Sequence, residues 1–264
     1  MRLPAAQASI GYRLEAFDAL GSTNDEAMAR ARAGDIGKLW ITAARQSAGR
    51  GRLGRNWSSP EGNFYGSLLL VNPAPPDRAP ELGFVAGVAL IEALKEITGA
   101  GARLGLKWPN DVLLDRGKLA GILLEAAQLP NGSFACVAGF GVNCVSHPDG
   151  LPYRASDLTE FAIAASREKV FAALAAHFER LYVLWSGGEN FSAIREAWLA
   201  SATGLGAAIE VSNAGQRLSG RFRTIDARGR LLLDAVTGSH AIEAGDINFP
   251  IHPAEPNAAP EDFK

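Results

Sequence analysis

Lys107-Trp108-Pro109-Asn110-Asp111-Val112-Leu113-Leu114-Asp115-Arg116-Gly117-Lys118-Leu119-Ala120-Gly121 is the stretch on which the fold turns. Proline lacks the N–H that a sheet ladder needs, so Pro109 ends a strand over residues 104–108. Residues 111–114 and 118–125 read as two further strands, and a connection as short as Asp115-Arg116-Gly117 permits only a hairpin between them. Asn131-Gly132 is a second hairpin signal, leading into a strand over 134–142. Consecutive hairpins imply antiparallel pairing and an α+β fold rather than a parallel, doubly wound sheet.

Working outward, Thr23 and Glu26 have capping-box spacing, so residues 24–33 predict a short helix stopped at Gly34. Residues 38–44 and 64–71 read as strands. Leu82, Val85, Ala89, Ala93 and Ile97 share one face at helical spacing, after a Pro-rich lead-in over 73–80. A second amphipathic helix over 168–185 buries Val170, Phe171, Leu174, Phe178, Leu181 and Trp185, and a shorter one over 191–202 ends at Gly204. Beyond Gly204 the texture changes to short strands over 207–211, 218–225, 230–236 and 240–243 with Gly-containing turns, the pattern of a small β-barrel. The expected division is a catalytic unit over 1–204, a small all-β unit over 205–252 and a Pro- and Ala-rich tail over 253–264.

A length of 264 residues, 47% apolar and 20% charged, describes an ordinary globular chain and excludes disorder. Twenty-six basic against twenty-eight acidic residues leave a formal charge of −2, which provides no broad surface for nucleic acid. Two cysteines, Cys136 and Cys144, make no disulfide framework and no zinc pattern, and read as inert core residues. No signal peptide or membrane-spanning run is present, so a reducing cytoplasm is the expected setting.

The near-neutral average conceals a local imbalance. Gln46-Ser47-Ala48-Gly49-Arg50-Gly51-Arg52-Leu53-Gly54-Arg55-Asn56-Trp57 carries three arginines and no acid. Gly49, Gly51 and Gly54 satisfy the spacing of a dinucleotide fingerprint, but Trp57-Ser58-Ser59-Pro60 follows where a helix must open, so that reading fails on context. Glycines let backbone approach an anion, and guanidinium forks bind phosphate or carboxylate, so the segment suits a loop closing over an anionic intermediate. Taken alone it is equally an ordinary solvated basic loop. Asn110 and Asp111 are equally turn residues, or an amide and a carboxylate for Mg²⁺ and phosphate, with Lys107 beside them. The hairpin brings Lys118 near Asp111. Arg50, Arg52, Lys107, Lys118 and Asp111 together fit phosphoryl or nucleotidyl transfer, in which catalysis is mostly positioning and charge neutralisation. Ser22, Thr23 and Asn24 exceed what one helix cap requires, and two glycines in Gly139-Phe140-Gly141-Val142-Asn143 mark a bulge or a closely approaching ligand. None of the four histidines has a sequence neighbour that suggests a catalytic triad.

In this order and spacing, these stretches resemble the biotin protein ligases over roughly residues 15–250. Leu53, where many relatives carry another arginine, and the bulky Phe140 are the departures. The resemblance implies a class II aminoacyl-tRNA-synthetase-like catalytic fold, a mixed and largely antiparallel sheet flanked by helices, with a C-terminal SH3-like barrel. It also implies a two-step reaction: biotin and ATP give biotinyl-5′-AMP with Mg²⁺ present, and a lysine of a biotin carboxyl carrier protein then takes the biotinyl group. Carried onto this chain, Ser22, Thr23, Asn24, Gln46 and Gly121 hold biotin. Arg50, Gly51 and Arg52 close over biotin and phosphate, and Lys118 neutralises carboxylate and α-phosphate. Arg55, Trp57, Lys107, Asn110 and Asn143 face the nucleotide, and Asp111 the metal. Relatives that also act as repressors carry a helix-turn-helix domain of about 60 residues before the Ser-Thr-Asn motif. Here 21 residues precede Ser22, so a ligase without DNA binding is expected, as a monomer or homodimer. A lipoate ligase and, from another class, an RNA-binding module using the Arg-Gly loop are the alternatives.

Overall fold

A computed structural model describes residues 1–99, 103–213 and 215–249. After a short helix α1 (Ala5–Ser9), the chain runs through β1 (Arg13–Leu20), α2 (Thr23–Arg32), β2 (Leu39–Gln46), β3 (Phe64–Val71) and α3 (Glu81–Thr98). It continues through β4 (Leu104–Lys107), β5 (Asp111–Leu114), β6 (Gly117–Gln128), β7 (Phe134–Val142), α4 (Arg167–Trp185) and α5 (Phe191–Ala200). The seven strands form one sheet in the order β1-β2-β3-β7-β6-β5-β4. Only β1 and β2 run parallel; every other neighbour is antiparallel, as the hairpin reading requires.

Side chains alternate across the sheet, and the two faces bury different partners. Trp40, Leu68, Leu70, Ala138 and Phe140 point toward α3 and α4 and form the larger core. There Trp40 meets Phe171 edge-on at 5.4 Å between ring centroids. Leu39, Ile41, Leu69, Ala135 and Val137 point to the other face, against Ala27, Met28 and Ala31 of α2. Helix α3 is more deeply buried than a single stripe predicts, with Leu82, Val85, Ala89 and Ala93 fully enclosed and Ile97 packed at the margin. Cys136 and Cys144 are buried and free, and burial pushes both thiols up to about 12, which keeps them unreactive.

Three local features differ from the sequence reading. The N-cap of α2 is Ser22, whose Oγ accepts from Asp25 N, rather than Thr23. The β5–β6 turn has positive φ at Asp115 and Arg116, the mirror-image conformation that matches strand twist. Just beyond it the register shifts, pairing Leu113 with Lys118 but Val112 with Ala120, so Leu119 is an extra, bulged residue.

After α5 come β8 (Ala208–Asn213), β9 (Gln216–Ile225), β10 (Leu231–Ala235), β11 (Gly238–Ile242) and β12 (Asp246–Asn248). They make a five-stranded antiparallel sheet in the order β11-β10-β9-β8-β12, and β12 has no counterpart in the sequence reading. Among the described residues no ladder joins β11 to β12. The expected tail over 253–264 lies outside the described residues, as does Ala214 of one expected turn. The small sheet packs on the larger unit through Trp108, whose Nε1 donates to Gly229 O at 3.2 Å, and through Arg195, whose Nε donates to Ile225 O at 2.6 Å. No described helix is long and apolar enough to cross a membrane.

Trp198 of α5 is 1% exposed and packs edge-on against Phe84 at 5.7 Å. Trp198→Ala is expected to lower the unfolding free energy by about 3–5 kcal/mol, measured by urea denaturation. A loss below about 1 kcal/mol would show that α5 does not carry this core.

Candidate active site

The core on the α2 side of the sheet thins toward one end. Along β7 the residues on that face are Ala135 and Val137 and then Gly139 and Gly141. Along β6 they include Gly121, Leu123 and Glu125, opposite Gly141, Gly139 and Val137. The missing side chains leave a floor of bare backbone, and the N-terminal end of α2 descends onto it. A Cβ on Gly139 would stand 2.1 Å from Asn24 Oδ1, and one on Gly141 would stand 2.5 Å from the Trp57 ring. The glycines of β7 are therefore required by close approach, not by backbone conformation.

Because Ser22 takes the cap, Thr23 and Asn24 are released to build the wall, and all three are buried. The Thr23 amide and hydroxyl both reach Gln46 Oε1, at 2.8 and 3.1 Å, and Gln46 Nε2 donates to Ser59 Oγ at 3.0 Å. Ser67 Oγ sits 2.7 Å from Thr23 Oγ1 and 2.6 Å from Asn24 Oδ1, with one proton to serve either. Asn24 Nδ2 donates to Glu125 Oε2 at 2.7 Å. Buried polar groups so thoroughly paired form a rigid recognition surface. Ser59, Ser67 and Glu125 belong to this network and do not stand out in the sequence, because their bonds span 13 to 101 residues and leave no periodic trace.

The bulge at Leu119 brings Lys118 onto the same face as Gly121, two positions that strict alternation would place on opposite faces. Lys118 Nζ lies 2.8 Å from Asp111 Oδ1 and 5.4 Å from the centre of the Trp57 ring. Backbone bonds fix it in place: Lys118 N donates to Arg154 O and its carbonyl accepts from Ser156 N. Asn110 grips β6 through Nδ2 to Ile122 O at 2.7 Å and turns Oδ1 to Arg52.

The Gly-Arg loop is a compact flap. Gly51 N donates to Arg55 O, Trp57 N donates to Gly49 O, and Arg52–Gly54 makes a single tight turn. Arg50 reaches Asp25 and Glu125, whereas Arg52 and Arg55 point to the small sheet, where Arg52 donates to Gly245 O at 3.1 Å and Arg55 pairs with Asp246. Burial alone would raise the Asp246 carboxyl, but the Arg55 hydrogen bond and the charges of Arg55, Arg52 and Lys107 hold it below the usual carboxylate range. Burial likewise pushes the Lys107 amine below its ordinary value, against the opposing pull of Asp111.

Ser22, Thr23, Asn24, Gln46, Arg50, Trp57, Asn110, Lys118 and Gly121 thus line one cleft. Arg52, Arg55 and Lys107 gather instead beside it around Asp246. Asn143 lines neither, because its amide donates to the carbonyls of Lys118 and Ser156 and ties the strand ends together. The cleft encloses about 40 Å³, far below the ~300 Å³ at which ligand pockets begin. Trp57 lies over Gly121 and Gly141 and forms part of its lining. Elsewhere His147 stands between Asp157 and Glu160, with Nδ1 2.8 Å from the first and Nε2 3.3 Å from the second. Each ring nitrogen faces its own carboxylate.

A glycine floor, a paired polar wall, a fixed lysine and an arginine flap define a site for activating an acid with a phosphate donor. Residues 32–143 match the biotin/lipoate A/B protein ligase family, and residues 204–249 match the biotin protein ligase C-terminal domain. The chain is 40% identical to a biotin–(acetyl-CoA-carboxylase) ligase of Paracoccus denitrificans, with 86% of this chain and 97% of that one aligned. It is 33% identical to the ligase of that name from Mycobacterium tuberculosis, with 91% and 90% aligned. A biotin protein ligase from Aquifex aeolicus in complex with biotin and ATP superposes with a TM-score of 0.75 at 26% identity, covering 89% of this chain and 97% of that one. The chain belongs to the biotin protein ligases.

Gly139→Ala is expected to weaken biotin binding by about 10–100-fold, the equivalent of the ~1–3 kcal/mol that an overpacking methyl group costs. Calorimetric titration with biotin reads this, and wild-type affinity in the variant would remove β7 from the site.

Proposed function

We propose that this chain activates biotin with ATP and passes it to a lysine of a biotin carboxyl carrier protein, as the names of its relatives indicate for them. The observation that carries the reading is Lys118 held against Asp111 at the rim of a glycine floor, facing a wall of neutral hydrogen-bonding groups. A carboxylate and a triphosphate repel one another, and a fixed ammonium with guanidinium groups nearby offsets that repulsion. In the first step a biotin carboxylate oxygen bonds to the α-phosphorus of ATP while the bond to the β-phosphate oxygen breaks and pyrophosphate leaves. In the second, the neutral ε-amine of the acceptor lysine attacks the acyl carbon, AMP leaves with the bonding electrons, and the amine gives up a proton. No protein nucleophile takes part.

Within this reading, Ser22, Thr23, Asn24, Gln46 and Gly121 receive biotin. Lys118 lies between carboxylate and α-phosphate, and Arg50, Gly51 and Arg52 form the cover. Arg55, Trp57, Lys107 and Asn110 take the nucleotide side, while Asn143 acts on Lys118 only through its backbone. Asp111 supplies one half-buried carboxylate, and its Oδ1 receives no well-directed hydrogen bond among the described residues. One carboxylate suits Mg²⁺, which takes one or two together with phosphate oxygens. Such an ion would add charge neutralisation at the phosphates. The same reading sets a catalytic unit over 1–204 before the small sheet, a cytoplasmic setting, no DNA partner, and a monomer or homodimer. The match of residues 204–249 to the biotin protein ligase C-terminal domain favours biotin over lipoate as the acid.

ATP–pyrophosphate exchange tests this directly. Exchange is expected with biotin and not with lipoate; the opposite result assigns the other acid, and exchange with neither leaves the Arg-Gly loop to RNA. Lys118→Ala is expected to slow adenylate formation by on the order of 10²–10³. A near-wild-type first step in that variant would take Lys118 out of the mechanism.

A further inference from the structure

Glu125 is a carboxylate beside the cleft, bonded to its lining residues Asn24 and Arg50, to which the mechanism above gives no role. Alternation along β6 places it on the face of Gly121 and Leu123, half-buried, beyond the end of β5. It joins two parts of the chain that are remote in sequence. Its Oε2 accepts from Asn24 Nδ2 at 2.7 Å, and its two oxygens lie 3.1 and 3.3 Å from Arg50 Nη2. Arg50 also grips Asp25 with both terminal nitrogens, and the Asp25 bond raises the basicity of the guanidinium against the effect of burial. A single guanidinium thus links β6, the N-terminal end of α2 and the base of the Gly-Arg loop.

The other anchors of the loop lie elsewhere. Arg52 and Arg55 tie its far side to Gly245 and Asp246, and Gly49 packs so closely on Trp57 that a Cβ there would stand 2.5 Å from Trp57 O. Arg50 is the loop arginine that faces the cleft wall. It also carries the positive charge that an incoming carboxylate or phosphate would draw toward itself.

We propose that Glu125, assisted by Asp25, is a positioning residue that latches the Gly-Arg loop through Arg50 and sets how long the acyl-adenylate stays enclosed. The proposal rests on the cleft being the adenylate site. Its physical basis is a charge-assisted contact of Arg50 Nη2 with both Glu125 oxygens, set beside the bidentate Arg50–Asp25 pair. Because Arg50 and Glu125 are each about one-third exposed, at 34% and 37%, the effect is several-fold rather than thousand-fold.

The test uses the full chain with Glu125→Gln, which retains an oxygen to accept from Asn24 but removes the charge facing Arg50. Two readouts apply. Without ligands, trypsin cuts after Arg50, Arg52 and Arg55 are expected about 5–10 times faster than in wild type, because cleavage follows the population of the open loop. With biotin and ATP, escape of the adenylate, read as labelling of a bystander protein's lysines, is expected to rise by a similar factor. Arg50→Gln combined with Glu125→Gln is expected to do no more than Arg50→Gln alone. Equal tryptic rates in wild type and variant, or multiplicative single effects, would overturn the latch. Absence of any adenylate from the wild type would instead overturn the function, while the tryptic comparison still decides independently whether Glu125 holds the loop. If Glu125→Gln fails to fold, Asp25→Asn on the exposed side of the same pairing carries both readouts.

Discussion

Asn24 presses so closely onto β7 that no side chain fits beneath it, and the rest of the site is arranged around that contact. The Gly139 backbone sets the depth to which α2 descends, and that depth decides whether Thr23 reaches Gln46 and Ser67 reaches Asn24. A helix end offers unpaired N–H groups. Giving the cap to Ser22 satisfies one of them and leaves the next two polar side chains for recognition. Carrying a buried polar wall next to an apolar core is tolerable because nearly every group in it is paired. The arrangement is costly to perturb at a single atom, which is the rigidity a small polar ligand requires.

The second constraint is electrostatic. Lysine and arginine groups are gathered where two anions must meet, and four of them are held by carboxylates: Lys118 by Asp111, Arg50 by Asp25 and Glu125, Arg52 and Arg55 by Asp246. The paired carboxylates keep the cations oriented and nearly neutral as a set, so the site is not disrupted by its own charge. The division of labour within the loop follows from this pairing. Arg50 belongs to the cleft wall, whereas Arg52 and Arg55 connect the loop to the small sheet, making that unit part of the surroundings of the site.

Much of this is legible in the residues. The turn after Leu114 and the proline at 109 announce hairpins, and hairpins fix the antiparallel order of β5, β6 and β7. The alternation of apolar residues identifies the buried helices, and the acid-free run of Gly and Arg between 49 and 55 marks the loop. What the sequence does not display is register. The bulge at Leu119 turns Lys118 toward Gly121, and strict alternation would have placed it on the far face. Ser22 and Thr23 are both acceptable caps, and the choice between them is settled by what Thr23 meets across the sheet. Glu125, Ser67 and Asp246 act through bonds to distant segments, for which no local pattern exists. Asn143 shows the converse: it lies next to a glycine-rich stretch, yet its amide serves the backbone.

The central claim is that this geometry transfers biotin and not merely that it binds an acid. It is tested most directly by incubating the full chain with biotin, ATP, Mg²⁺ and a biotin carboxyl carrier domain and measuring the intact mass of that domain. The account predicts a gain of one biotinyl group on one lysine, abolished when ATP is omitted. A carrier domain that remains unmodified while the enzyme consumes ATP, or one that is modified only when lipoate replaces biotin, would contradict it.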